Sequence, residues 1–231
     1  MNANTLLTQV VPALGALALL TAPCLEAAEI SWSTPQTISN DSDVRTNGSL
    51  VYALNLNGPD VTLNTVPFVG VDVGFDLGDA GNALPPFTDL SADYQTLLRS
   101  AFYADNEIAT VFLSGLTVGL QYELQIWVHH SDDGYGAFLW QEEDEFFNYV
   151  YVPSSEVGQS YLGSHVLGTF TADDVSQSFF IGTEGISVLN ALQLRVLDGT
   201  TDIPEAGTTF AGLILSLGAF GVWYRRRTAA C

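Results

Sequence analysis

The chain has 231 residues, 47% of them apolar, and 26 acidic side chains against six basic ones, a net charge of −20. All six cations are arginine, too few to draw the basic stripe that a nucleic-acid phosphate backbone requires. Thirteen Phe, nine Tyr and four Trp exclude a disordered chain, and the length suits one domain of roughly 100–200 residues with additional end segments.

The first element in chain order is an apolar run, LLTQVVPALGALALL over 6–20, followed by the small residues Ala22, Ala27 and Ala28. Its length suits the core of a secretory signal peptide and is short for a membrane span, so 1–28 reads as a leader that directs export. Cys24 falls in that leader and Cys231 closes the chain, which leaves the segment between them without an internal disulfide, a thiol nucleophile or cysteine-ligated zinc.

Residues 29–202 carry 24 acidic side chains and three arginines, Arg45, Arg99 and Arg195, a net −21. Such a field repels anionic surfaces and attracts divalent cations. Near the start, Asp41, Asp43 and Asn47 supply oxygen ligands for a structural Ca²⁺, although the spacing departs from an EF-hand and equally describes a plain Asx-rich turn. Alternation of period two then predicts strands over 49–56, 68–77, 108–114, 121–130, 166–171, 177–182 and 191–197, separated by Gly, Asn, Asp and Pro. One segment breaks the pattern. Tyr94, Leu97, Leu98 and Phe102 recur at helical spacing, with Ser91 as the cap of a short helix over 91–102. Many strands and one short helix predict an all-β fold, a two-sheet β-sandwich, with terminal helices from the leader and the tail.

The 121–130 strand carries the strongest site candidate. Tyr122, Leu124, Ile126 and Val128 share one face, which is core, and Glu123, Gln125, Trp127 and His129 share the other. A ring beside hydrogen-bonding groups is what a sugar site needs, and Gln193 and Arg195 on the polar face of the last strand would join it, with Arg195 pairing Glu123 if the two strands are neighbours. The same pattern also describes a concave sheet face with a satisfied ion pair and a covered Trp, the commoner outcome for such a cluster. His129 and His130 are adjacent and point to opposite faces of a strand, so they cannot chelate one metal together. No G-x-S-x-G elbow occurs and no catalytic constellation emerges, so no catalytic residue is assigned. The segment 134–161 gathers Tyr135, Phe138, Trp140, Phe146, Phe147, Tyr149, Tyr151 and Tyr161 around Glu142, Glu143, Asp144 and Glu145. It reads either as a ligand or partner surface or as a loop folding back to bury its rings.

The last element, 207–224, is uncharged for 18 residues, about 27 Å as a helix, enough to cross a hydrocarbon core. Arg225, Arg226 and Arg227 follow and hold that end on the cytoplasmic side. The order Ile203-Pro204-Glu205-Ala206-Gly207-Thr208, apolar span, triple arginine resembles the PEP-CTERM sorting signal of bacterial envelope proteins, with Ala206 where the second proline of that element stands. The resemblance implies recognition of Pro204 and Glu205 by an exosortase-type membrane enzyme, transient anchoring in the cytoplasmic membrane, and removal of the tail, after which the protein resides in the envelope or extracellular matrix.

A second resemblance covers the domain. Tyr94-Gln95-Thr96-Leu97-Leu98, the G-L-x-x-G-x-x-Y turn over 115–122, Gln125-Ile126-Trp127-Val128, Leu167 to Asp173 and Leu189 to Arg195 are similar to exported PEP-CTERM proteins of planctomycete and verrucomicrobial type. The glycine turn also looks like sugar-binding jelly rolls of the galactose-binding and malectin-like kind. Together these imply a noncatalytic exported protein that binds or embeds in extracellular polysaccharide. A purely structural matrix protein and a carboxylate-based polysaccharide hydrolase are the alternatives.

Overall fold

The structure is a computed structural model that describes residues 28–197 apart from 77, 106, 133–134, 142–147, 156–161 and 183–184, together with the backbone of Leu215–Leu217. In chain order the strands are β1 (Ser31–Trp32), β2 (Gln36–Thr37), β3 (Ser49–Leu56), β4 (Val61–Leu63), β5 (Val66–Val71), β6 (Phe102–Asp105), β7 (Ala109–Ser114), β8 (Gln121–Val128), β9 (Gly136–Trp140), β10 (Val150–Pro153), β11 (Ser164–Thr171), β12 (Ser176–Gly182), β13 (Ile186–Leu189), β14 (Ala191–Val196) and β15 (Leu215–Leu217), with one α-helix, α1 (Ala92–Arg99).

These strands form two sheets. The first runs β1-β11-β8-β14-β3-β5-β4 with β2 also on β11; the second runs β15-β7-β12-β9-β13-β6 with β10 also on β9. Neighbours are antiparallel except β3 with β5 and β13 with β9. Between the sheets lies the main core, to which β8 contributes Tyr122, Leu124, Ile126 and Val128, and the facing strands Val111, Leu113, Leu139, Phe179 and Ile181. The molecule is therefore an all-β sandwich, as the period-two alternation predicts: β7 shows the pattern most plainly, with Ala109, Val111 and Leu113 buried and the residues between them half-exposed.

A second core lies on the far side of the first sheet, which the alternation alone does not reveal. Trp127, Ala53, Ala191 and, from β5, Phe68 and Val66 of that sheet pack with Tyr94, Leu97 and Leu98 of α1 and with Ile38 and Val44 before β3. The layers are thus helix and loops, sheet, sheet. The helix is shorter than its expected 91–102 range, because Phe102 begins β6. Ser91 caps it as expected: its Oγ accepts from the Tyr94 N–H (3.1 Å) and donates to Asp41 Oδ1 (2.7 Å), tying the turn at 41–43 to the helix start. At the other end buried Asn190 donates through Nδ2 to the carbonyls of Leu98 and Ser100 (3.0 Å each) and accepts the His129 N–H (2.6 Å), which fixes α1 to the sheet. The expected 68–77 strand is β5, which starts and stops earlier; Gly74 and Phe75 have φ of 68° and 48°, a left-handed step that takes the chain out of the sheet.

The leader over 1–28 and the tail over 203–231, with Pro204, Glu205, the helix over 207–224 and Arg225 to Arg227, lie outside the described residues except for Ala28 and β15. Those three tail residues are extended rather than helical: β15 pairs with the edge strand β7, Leu215 opposite Val111 and Leu217 opposite Ala109. An edge strand presents a row of unpaired backbone donors and acceptors, which an apolar segment satisfies by adding a strand. Among the described residues no helix is long and apolar enough to cross a membrane.

Candidate functional site

Strand register decides what the polar face of β8 becomes. β14 is its neighbour, with Arg195 opposite Glu123, Gln193 opposite Gln125 and Ala191 opposite Trp127; on the other side β11 sets His165 opposite Trp127. Five of the six predicted ligand residues, Glu123, Gln125, Trp127, Gln193 and Arg195, therefore share one sheet face, with His165 added. His129, just past the strand end, is buried separately beneath Phe87, whose ring stacks on the imidazole at 5.0 Å.

This face is interior, a correction to its reading as an open sugar site. Trp127 is wholly buried, its ring edge-on to Phe68 at 5.5 Å and its Nε1–H donated to the Tyr94 hydroxyl at 2.9 Å. The polar groups are consumed by the chain segment 43–48, which straps across the sheet. Gln125 donates through Nε2 to the Asp43 carbonyl (2.7 Å) and accepts at Oε1 from the Arg45 N–H (3.0 Å) and from Gln193 Nε2 (2.7 Å). Gln193 Nε2 also donates to the Arg45 carbonyl at 3.1 Å. Arg195 spends its fork on three strap carbonyls, Nε on Asn47 (2.7 Å) and Nη2 on Thr46 (3.1 Å) and Gly48 (2.9 Å). An Arg195–Glu123 pair, expected from neighbouring strands, does not form, although the strands are neighbours. Arg45 of the strap takes Glu123 instead, at 3.4 Å, while the planar fork of Arg195 is held by the three strap carbonyls. Gly48 closes the strap at φ +70°, where a Cβ would lie 2.0 Å from the Val196 carbonyl oxygen.

The electrostatics match a closed interior. Burial lowers the pKa of Arg195, and Glu123 partly opposes it. Burial also lowers His165, and raises the Tyr94 phenol with help from Asp43. His129 is pushed down to about 3 by burial first, then by His130, with Arg99 adding to the same effect. Its Nδ1 accepts the Gly163 N–H at 3.2 Å, which assigns the proton to Nε2; that atom is buried without a hydrogen bond of ordinary geometry among the described residues. These histidines are neutral at physiological pH.

The Ca²⁺ candidates occupy a 3₁₀ turn at 41–43. Asp43 accepts from the N–H groups of Ser39 (2.6 Å) and Asn40 (3.0 Å) and from Ser39 Oγ (2.8 Å), completing a capping box with Asn40. Asp41 takes the Ser91 hydroxyl, and Asn47 lends its backbone carbonyl to Arg195. Among the described residues no group of three or more His, Cys, Asp or Glu side chains is arranged to hold a metal.

The aromatic segment divides. Tyr135 stacks on His130 at 3.9 Å and Trp140 is buried, whereas Tyr149 and Tyr151 remain 51% and 43% exposed beside half-buried Phe138. Phe146, Phe147, Tyr161 and 142–145 lie outside the described residues. The sequence reading missed Arg45 and His165 as members of the sheet-face cluster. Arg45 was findable as one of only three cations in an acidic domain, placed just after the Asx turn; His165 carried no signal without the register.

No family model, curated protein or solved structure matches this chain.

Proposed function

We propose that the chain is an exported, noncatalytic protein of the cell envelope or extracellular matrix, whose sandwich domain binds or embeds in polysaccharide. In this reading 1–28 directs export, 207–224 anchors the protein in the cytoplasmic membrane as an alternative to the pairing of β15 with β7, and an exosortase-type enzyme recognises Pro204 and Glu205 and removes the tail. The observation that carries it is the order of parts in the sequence: apolar leader, acidic cysteine-free domain, Pro-Glu element, apolar run, triple arginine. A noncatalytic role is supported by the use of the polar cluster on the β8–β14 face to fasten the chain to itself. The finer likeness to a jelly roll is supported by connections that alternate between sheets, β7 to β8 to β9 and β11 to β12.

A purely structural matrix protein is the second reading, favoured by the burial of Trp127. Mass spectrometry of fractionated cells tests the assignment. Envelope protein that begins near residue 29 and lacks the 205–231 peptides is the expected result; an intact Met1 on cytoplasmic protein overturns it.

A further inference from the structure

With the face around Trp127 closed, an exposed group of aromatic rings lies on the opposite side of the molecule, on the outer face of the second sheet, apart from exposed Phe75. Ala137, Leu139 and Val152 of β9 and β10 point into the core, so Phe138 and Tyr151, which are register partners, point outward. Their ring centroids are 4.8 Å apart, and the Tyr149 ring lies 5.6 Å from that of Phe138. Buried Trp140 and its register partner Phe180, 5.7 Å apart, continue the row toward β12.

Two glycines determine how these rings lie. A Cβ on Gly136 would meet the Tyr151 ring and hydroxyl at 2.6–2.9 Å, and a Cβ on Gly182 would meet the Trp140 ring at 3.0 Å. The rings therefore rest on bare backbone, folded down over the sheet where a side chain in either position would make them stand. Tyr151 thus lies along the sheet rather than projecting from it, with 43% of its surface and 51% of that of Tyr149 open to solvent.

The extent of this surface separates its occupants. Tyr149 and Tyr151, about half exposed, and half-buried Phe138, at about 150–250 Å² per ring, together present on the order of 150–300 Å². A stable protein interface needs about 800 Å² per partner, so a second copy or a globular partner is too large a demand. A polysaccharide chain is not, because a pyranose presents a small apolar face of C–H groups with hydroxyls at its rim, matched by ring faces with phenol hydroxyls at theirs. The net −21 of residues 29–202 selects against an anionic chain.

The geometry points to Phe138, Tyr149 and Tyr151 as the platform on which this protein holds an uncharged polysaccharide. The inference rests on the polysaccharide reading above and replaces Trp127 as the stacking residue of that reading. Native affinity electrophoresis of the full chain, in gels containing hydroxyethylcellulose, galactomannan or alginate, tests both. Retardation by at least one of the two neutral polymers is expected, with the apparent Kd raised about tenfold or more in the double variant Y149A/Y151A. Y149F/Y151F retains most of the binding, V175A on an exposed turn retains all of it, and all variants melt at the wild-type temperature. Neutral-polymer retardation that survives Y149A/Y151A overturns the platform and leaves the polysaccharide reading standing. Retardation by alginate alone overturns the uncharged ligand, and none in any gel overturns the platform together with the polysaccharide reading. Self-association of the wild type that is lost in Y149A/Y151A assigns the face to a second copy and overturns the proposal.

Discussion

Acidification provides the sharpest test of the interior described above. His129 is fully buried, its Nδ1 holds the Gly163 N–H, and its pKa falls from 6.5 to about 3. Protonation would bring a second N–H against the Gly163 donor and place a charge against the Phe87 ring, over which Arg99 also lies at 5.2 Å. The folded state thus stays neutral at this site while the unfolded chain takes up a proton below pH 6.5, so stability is complete above 6.5 and declines as the pH falls toward 3. At about 1.4 kcal/mol per pH unit, the loss between pH 7 and pH 5 is about 2 kcal/mol from this residue. His130 and His165, also lowered by burial, act in the same direction. Urea unfolding at pH 7, 6 and 5 measures the slope, and His129→Gln, which keeps an acceptor for the Gly163 N–H, removes the titration. The variant should be less stable than wild type at pH 7 and lose about 2 kcal/mol less on acidification. An equal loss in both proteins would refute the neutral, buried imidazole.

Two substitutions probe the strapped face. Trp127→Ala removes the largest wholly buried side chain and leaves the Tyr94 hydroxyl without its donor; a cost of about 3–5 kcal/mol in chemical denaturation is expected, with neutral-polysaccharide retention unchanged in the molecules that remain folded. Loss of retention in folded W127A would restore this face as the ligand site. Arg195→Met strands three strap carbonyls and should cost about 3 kcal/mol, with new proteolytic cleavage within 43–48. Arg195→Lys should recover less than half of that, because an ammonium cannot reach three carbonyls in the fixed geometry of the guanidinium; full recovery would show that charge alone holds the strap.

Much of the molecule can be read from the local chemistry of the chain. Alternation places Tyr122, Leu124, Ile126 and Val128 in the core of a β-sandwich, Ser91 marks the start of the only α-helix among the described residues, and the placing of Gln125, Gln193, Glu123 and Arg195 on one face follows from side-chain parity once β8 and β14 are neighbours. Parity is a local property, fixed by the pleat, and so it is present in sequence.

What covers a face is not local. Whether Glu123, Gln125 and Trp127 meet solvent or protein depended on a strap some 80 residues earlier and on a helix about 30 residues earlier, whose positions are set by loop paths and by Asn190 and Gly48 acting at a distance. The acidic balance and the two apolar ends identified in the composition follow from the sequence by itself. Tertiary packing alone decided that Trp127 is core and that Tyr149 and Tyr151 are surface, because burial depends on which distant segments come to rest against a side chain, and neighbours in sequence do not fix that.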